Sequence, residues 1–234
     1  MSNIALIAAA GSGLRLKNDS GKMLVKIFKK PLIAYTLDEF ERTDKIDEII
    51  LIIRSQDSKL LEREVLKKNT YSKITKIVLG GLTRQESVYN GLMAIEKNHS
   101  FVCIHDGARP LINRRMIEKV LNIDIGYNGT ILAVPIVETI KKIFPENMIV
   151  EKTVKRNEYW IAQTPQCFQL DYIIDLHKRA KADRLKADDD ASIVEHYGGK
   201  IKIVTGARKN IKITTPIDLT FAEVLLKNIN EKYK

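Results

Sequence analysis

Arg15 and Lys22 follow Gly11 and Gly13 in one short loop, and that combination of residue types suits an anion. The stretch over residues 4–22 reads IALIAAAGSGLRLKNDSGK, a short apolar run that stops in small residues and then turns basic. An apolar run of this length fits a strand covered on both faces, as in a parallel sheet. Glycines let the backbone turn tightly and come close to a ligand, and backbone N–H groups with nearby cations form an anion nest. A bare turn has no use for two cations, whereas a polyphosphate does. Two familiar phosphate loops do not match. The dinucleotide pattern needs Gly or Ala where Leu16 stands and an acid where the next strand ends in Ile53 and Arg54. The Walker pattern needs Gly at Leu16 and Ser or Thr at Asn18.

A second corner, GGLTRQESVYNGL over residues 80–92, frees the backbone at Gly80 and Gly81 and then opens a helix. Thr83 and Glu86 have capping-box spacing, and Arg84 and Ser87 fall about one turn apart on one helical face. In open α/β sheets, ligands sit at the carboxyl ends of strands, so this corner and the first should meet. Asp106 follows the apolar run 101–104 after one residue and is placed to hold Mg²⁺ or a ribose; the intervening His105 reads as structural. His99, His177 and His196 lie among polar neighbours and read as exposed. Of Asp188, Asp189 and Asp190, two read as helix-capping acids and the third as a residue that could steer toward metal. Lys212 alternates with Ile211 and Ile213 in a presumed short strand, a phosphate candidate or a solvated lysine.

The elements that must hold these groups alternate. After the first apolar run, amphipathic helices at 31–42 and 59–68 precede strands at 48–53 and 76–79, and a further strand follows at 101–104, the pattern of a parallel sheet with crossover helices. From residue 129 the pattern changes. A strand at 130–137 leads to two limbs, 138–143 and 149–156, flanking Pro145-Glu146-Asn147, which predicts an antiparallel hairpin inserted in the parallel domain. Thr139 and Arg156 sit one on each limb, within reach of a ligand. A projecting hairpin is marginal alone and finds a partner, which a two-fold dimer supplies. A strand at 160–168, a helix at 170–182, a strand at 200–204 and a helix opened by Pro216 complete the chain. The chain of 234 residues thus forms a single domain, 1–234, with an arm over 137–158.

The net charge of +10 calls for an anionic partner. The Lys pairs 29–30, 67–68 and 141–142 are scattered and lack interleaved aromatics, which argues against a nucleic-acid stripe. Two cysteines far apart, Cys103 and Cys167, are neither a disulfide framework nor a metal cluster and suggest a reducing cytoplasm. No run is long enough to cross a bilayer, so no membrane is expected.

Taken together, AAGSGLR, Lys22, GGLTRQESVYNGL, HDGARP, VETIKK, VKRNEYWIAQTPQ, DDDASIVE and NIKITTPIDL resemble, in family order and over almost the whole chain, the 2-C-methyl-D-erythritol 4-phosphate cytidylyltransferase family. The resemblance implies a doubly wound, mostly parallel, Rossmann-like nucleotidyltransferase fold (α/β) whose β-arm reaches into a homodimer partner. It implies transfer of CMP from CTP to methylerythritol 4-phosphate with release of pyrophosphate, in the non-mevalonate isoprenoid route. The family's transition-state cations fall on Arg15 and Lys22, with Lys212 as a third catalytic cation. Its CTP contacts fall on Ala9, Ala10, Gly11, Gly13, Lys22, Gly80, Gly81, Arg84, Ser87 and Asp106, with Asp106 near Mg²⁺. Its sugar-phosphate contacts fall on Arg109, Thr139, Arg156, Thr164 and Lys212, Thr139 and Arg156 coming from the other subunit. Departures from the family's usual motifs stand at Leu16, at Gly21-Lys22-Met23, at Asp188 and at Thr215-Pro216-Ile217-Asp218. Rival readings are a cytidylyltransferase for a pentitol phosphate such as ribitol 5-phosphate, a UTP- or GTP-dependent sugar-1-phosphate transferase, and a non-catalytic nucleotide-binding protein.

Overall fold

The computed structural model describes residues 2–11, 13, 21–96 and 99–232. Arg15 therefore lies outside the described residues, as does most of its loop. Strand β1 (Asn3–Ala8) is followed by a small hairpin, β2 (Lys26–Ile27) and β3 (Lys30–Pro31), and helix α1 (Leu32–Glu41). Then come β4 (Glu48–Ile53), α2 (Ser58–Leu61), β5 (Ile74–Leu79), α3 (Arg84–Met93), β6 (Phe101–Asp106) and α4 (Arg114–Val120). The second half holds β7 (Gly129–Pro135), β8 (Lys141–Phe144), β9 (Ile149–Thr153), β10 (Trp160–Gln169), α5 (Leu170–Ala182), α6 (Asp190–His196), β11 (Ile201–Thr205) and α7 (Pro216–Lys232).

Seven strands form one sheet in the order β11-β7-β10-β6-β1-β4-β5. Pairings among β5, β4, β1 and β6, and between β7 and β11, are parallel; β10 runs antiparallel to both β6 and β7. The period-two rule of strands sorts the apolar residues onto two faces. Ala5, Ile7, Ile49, Leu51, Ile53 and Cys103 face α1 and α4, where Leu37, Phe40, Ile117 and Val120 are buried. Ile4, Leu6, Ile50, Ile52, Val102 and Ile104 face α3, α5 and α6, with Val88, Leu92, Ile173 and Ile193. Each fully buried Val, Leu, Ile or Phe among them stabilises the fold by about 1.5–3 kcal/mol. Helices on both faces explain why β1, β4 and β6 read as nearly unbroken apolar runs. A third cluster, Ile27, Leu32, Leu111, Ile213, Ala222 and Leu226, docks α7.

Several expected elements change shape. Pro31 is the N-cap of α1, next to its first turn, and the helix itself ends at Glu41. The single helix read over 59–68 is α2 followed by one π turn, Glu62–Leu66, closed by Lys67 N–H donating to Glu62 O at 2.9 Å. The β2–β3 hairpin escapes the sequence because Phe28 and Lys29 turn it with positive φ, without the Asn or Gly that marks such turns. The presumed strand around Lys212 is extended chain without a ladder: Ile213 N–H donates to Ala108 O at 2.8 Å, and Ile213 anchors the third cluster. The alternation there records docking on α7, not sheet pairing. The arm is present as a separate two-stranded sheet, β8 with β9, but shorter than read. Thr139 precedes the ladder, and Arg156 opens a 3-10 turn after it.

Candidate active site

At the carboxyl end of β6, Asp106 is buried and faces three cations. Arg84 Nε lies 2.9 Å from Oδ1, Lys212 Nζ 2.7 Å from Oδ2, and Arg109 Nε 3.8 Å from Oδ2. Burial pushes its carboxyl up, but Arg84, Lys212 and Arg109 outweigh that and hold it well below the usual carboxylate range. Its backbone N–H donates to Thr164 Oγ1 at 3.0 Å, so Thr164 is turned inward on the strand end. Thr164 Oγ1 also lies 3.0 Å from His105 Nδ1. Burial pushes His105 down to about 3, which keeps this ring neutral and structural, as its position beside a strand suggested.

A cleft of about 450 Å³ opens beside Asp106, lined by Ala10, Gly11, Lys22, Arg84, Ser87 and Lys212 among others. The two glycine corners do meet here. Gly80 packs so closely that a Cβ would stand 2.3 Å from Ala10 Cβ and 2.8 Å from Ser87 Oγ. Gly13, at φ +68, brings its backbone against Lys22, where a Cβ would lie 2.5 Å from Lys22 Cβ. The N–H groups of Ala9 and Gly80 are committed to Ile52 O and Ile53 O, and that of Gly81 to Ser87 Oγ. The backbone donors of these three residues are thus taken up within the corners themselves.

A second lobe of about 240 Å³ shares Arg84, Asp106 and Lys212 with the first and adds Arg109, Gln163, Thr164, Asp188 and Asp189. Two compartments thus meet at one clamped carboxylate. Thr139 and Arg156 are exposed on the arm and line neither lobe; Arg156 donates to Val137 O at 2.7 Å. Ala9 is buried in the core beneath the cleft.

A model of the IspD family, 2-C-methyl-D-erythritol 4-phosphate cytidylyltransferase, matches residues 3–228. The chain belongs to this cytidylyltransferase family. It is 42% identical over 226 residues to the 2-C-methyl-D-erythritol 4-phosphate cytidylyltransferase of Alkaliphilus oremlandii, covering 97% of this chain and 95% of that one. It is 41% identical to the Clostridium novyi protein of the same name, covering 97% of each. The crystal structure of 4-diphosphocytidyl-2C-methyl-D-erythritol synthase from Anaerococcus prevotii superimposes with a TM-score of 0.85 at 32% identity, covering 97% of this chain and 98% of that one.

Around this candidate site the sequence reading gave no part to Arg54 and did not separate Asp190 from its two neighbouring acids. Arg54 lines the cleft and grips Asp57 through two hydrogen bonds of 2.7 and 2.8 Å. Asp190 is 1% exposed, with Arg84 Nη2 at 2.9 Å and His177 Nε2 at 3.2 Å. Burial pushes the Asp190 carboxyl up; Arg84 and His177 prevail and hold it low. The three aspartates divide accordingly: Asp189 caps α6, accepting from Ser192 N–H at 2.9 Å, Asp190 supports Arg84, and Asp188 is exposed at the second lobe. His177 and His99 correct the expectation of exposed histidines. Both rings are covered, His177 by α5 packing on α6 and His99 by Ser2 and Glu48, while His196 is exposed as read. The polar neighbours in sequence lie on the other side of each helix or turn.

His105 also shapes the acid limb of stability. Its ring binds a proton near pH 6.5 when unfolded but only near 3 when folded, so the unfolded state takes up more protons between these values. Stability is expected to fall as pH drops from about 6.5 toward 3, with a limiting slope of about 1.4 kcal/mol per pH unit. Denaturant titrations of the parent and of His105→Gln over this range check it; an unchanged slope in the variant refutes the assignment.

Proposed function

We infer that the cleft binds CTP and the second lobe binds 2-C-methyl-D-erythritol 4-phosphate, and that CMP passes between them with release of pyrophosphate. The observation that carries this reading is Asp106, ionised and clamped by Arg84 and Lys212 where the two lobes join. A phosphomonoester has a second pKa of about 6, so the attacking oxygen is already an anion near neutral pH and needs no general base. That agrees with a neutral, buried His105. What the reaction needs is alignment of two polyanions and cancellation of charge at the α-phosphate and the departing pyrophosphate.

Lys22 lines the first lobe, and with Arg15 it would stabilise that charge. Lys212, its side chain 39% exposed, stands at the junction and would serve both substrates. Arg109 would hold the acceptor phosphate; its Nη1 is fixed by donation to Asn210 O at 2.8 Å. Arg84 is engaged by Asp106 and Asp190, so its part is to hold Asp106 in place while its exposed edge lines the cleft. Mg²⁺ fits the donor set: Asp106 is the one acid among the cleft's described lining residues and is deprotonated, and magnesium takes one or two carboxylates with substrate phosphates and water. When bound there it would neutralise phosphate charge.

The arm supports the proposed homodimer. Phe144, Ile149, Val150, Trp160 and Ile161 are all exposed, and Met148 is 72% exposed, an apolar surface that a second copy would cover. Thr139 and Arg156 would then reach the partner subunit's second lobe. Ile149→Lys combined with Val150→Glu is expected to convert the dimer to monomer in sedimentation and to raise KM for the acceptor more than for CTP; a dimer of parental stability would refute the arm as its seam. A cytoplasmic setting is consistent with two buried free thiols, and no helix among the described residues is long and apolar enough to cross a membrane.

Pyrophosphate release with CTP, Mg²⁺ and either methylerythritol 4-phosphate or ribitol 5-phosphate tests the reading. Methylerythritol 4-phosphate is expected to turn over far faster, and CTP faster than ATP or GTP. Preference for the pentitol phosphate, or release with neither acceptor, overturns it.

A further inference from the structure

Between α3 and the carboxyl-terminal half of α5 lies a cavity of about 420 Å³, separate from both lobes, to which the proposed reaction assigns nothing. Gly81 and Thr83 line both this cavity and the nucleotide cleft, so one short segment of backbone divides them. Its rim is basic: Lys181, Arg184 and Lys186 come from the end of α5 and the turn beyond. Glu86 is the one acid among the described lining residues, and its Oε2 is taken up by the N–H groups of Leu82 and Thr83 at the helix cap. Tyr89 offers a ring face, over which Lys181 Nζ sits at 4.2 Å from the centroid, and Ala180 and Leu185 supply an apolar wall.

His177 also lines the cavity. It is 1% exposed, and its Nδ1 has no hydrogen-bond partner among the described residues. A buried polar atom left unpaired is costly unless a ligand or water meets it. The volume lies within the usual range of small-molecule sites, about 300–1,000 Å³.

We propose that this cavity is a second ligand site, taking a small phosphate-bearing molecule with a ring or hydrocarbon body, and that its occupancy alters CTP binding. The phosphate faces Arg184 and Lys186, the body lies against Tyr89 and Leu185, and His177 Nδ1 meets a polar atom of the ligand. Two contacts carry the effect to the cleft. One is the shared Gly81–Thr83 backbone. The other is the chain of side-chain contacts from His177 to Asp190 (3.2 Å), Asp190 to Arg84 (2.9 Å) and Arg84 to Asp106 (2.9 Å). Such coupling is reciprocal: CTP must change the affinity for the second ligand by the same factor. The effect on CTP rests on the cytidylyl-transfer reading, whereas binding itself does not.

Phenyl phosphate titrated calorimetrically into the full chain held at saturating CTP, with neither acceptor nor Mg²⁺ present and with pyrophosphate release monitored to confirm that no turnover occurs, reads binding. Saturation at one site per chain is expected, at least tenfold weaker when Arg184→Ala and Lys186→Ala are combined. In the steady-state assay phenyl phosphate should shift KM for CTP in the parent and not in this double variant, whose basal kcat stays parental. Absence of saturable heat, binding abolished by CTP, or binding of equal strength in the double variant overturns the site. Equal affinity for inorganic phosphate overturns the role of the ring and apolar wall. Saturable binding with an unmoved KM overturns the coupling alone, and a failed transfer assay beside intact binding counts against the function and not against the cavity.

Discussion

Lys22→Ala is expected to lower kcat for cytidylyl transfer by about 10²–10³ while the protein still folds, because one preorganised donor to developing charge is worth about 3–4 kcal/mol. Lys22 opens a 3-10 turn, Lys22–Leu24, directly after Gly21, and its side chain lines the nucleotide cleft. The neighbouring Met23 and Leu24 are buried in the core, so the turn that presents the lysine is held by packing and survives loss of the ammonium. The approach of Gly13 to Lys22 ties the first phosphate corner to the same spot. KM for CTP should rise far less than kcat falls, since the interaction strengthens as charge builds in the transition state. Thermal denaturation separates this from a folding defect. A variant with parental kcat and KM would remove Lys22 from the mechanism, and the same standard applies to Arg15→Ala.

Asp190→Ala should cost about 3–5 kcal/mol of stability, far more than its place in a run of three acids suggests. Removing one partner of a buried ion pair leaves the other charge uncompensated. Arg84 then keeps only Asp106, and His177 loses its carboxylate. Asp188→Ala, two positions away and exposed, should stay within about 0.5 kcal/mol. The acid limb supplies a second test. The Asp190 carboxyl titrates lower folded than unfolded, despite burial, because Arg84 and His177 favour its charge. Its contribution is thus fully present above about pH 4, the unfolded carboxylate value, and is lost as pH falls below it. Asp190→Asn should flatten that part of the curve and also lower kcat, since Arg84 no longer holds Asp106 at the junction of the lobes. Parental stability and an unaltered acid limb would refute the support chain.

Local pattern was enough to read the parallel core. Runs such as 49–53 and 101–104 are apolar at every position, and only strands covered on both faces need that. Capping spacing at Thr83 and Glu86 likewise placed α3, and glycines beside cations marked the two corners of the cleft. These signals are carried by neighbours in the chain, so they survive without the fold. The arm was visible as an interruption of the pattern, although its ladder, Lys141–Phe144 with Ile149–Thr153, is shorter than the limbs suggested.

What a linear pattern does not carry is which distant charges share a volume from which water is excluded. Asp190 and Asp188 are the same residue type two positions apart, yet α5 and α3 close over one and leave the other in solvent. His177 has polar neighbours in the chain and none of their exposure, because α5 turns it toward α6. Lys212 reaches Asp106 through a docked extended segment, not a strand, with Ile213 as its anchor. Those roles depend on contacts between residues 13 positions apart (His177 and Asp190) or 106 apart (Arg84 and Asp190, Asp106 and Lys212), and burial multiplies the energy of a charge pair; the packing of helices on the sheet, more than residue type, assigned them.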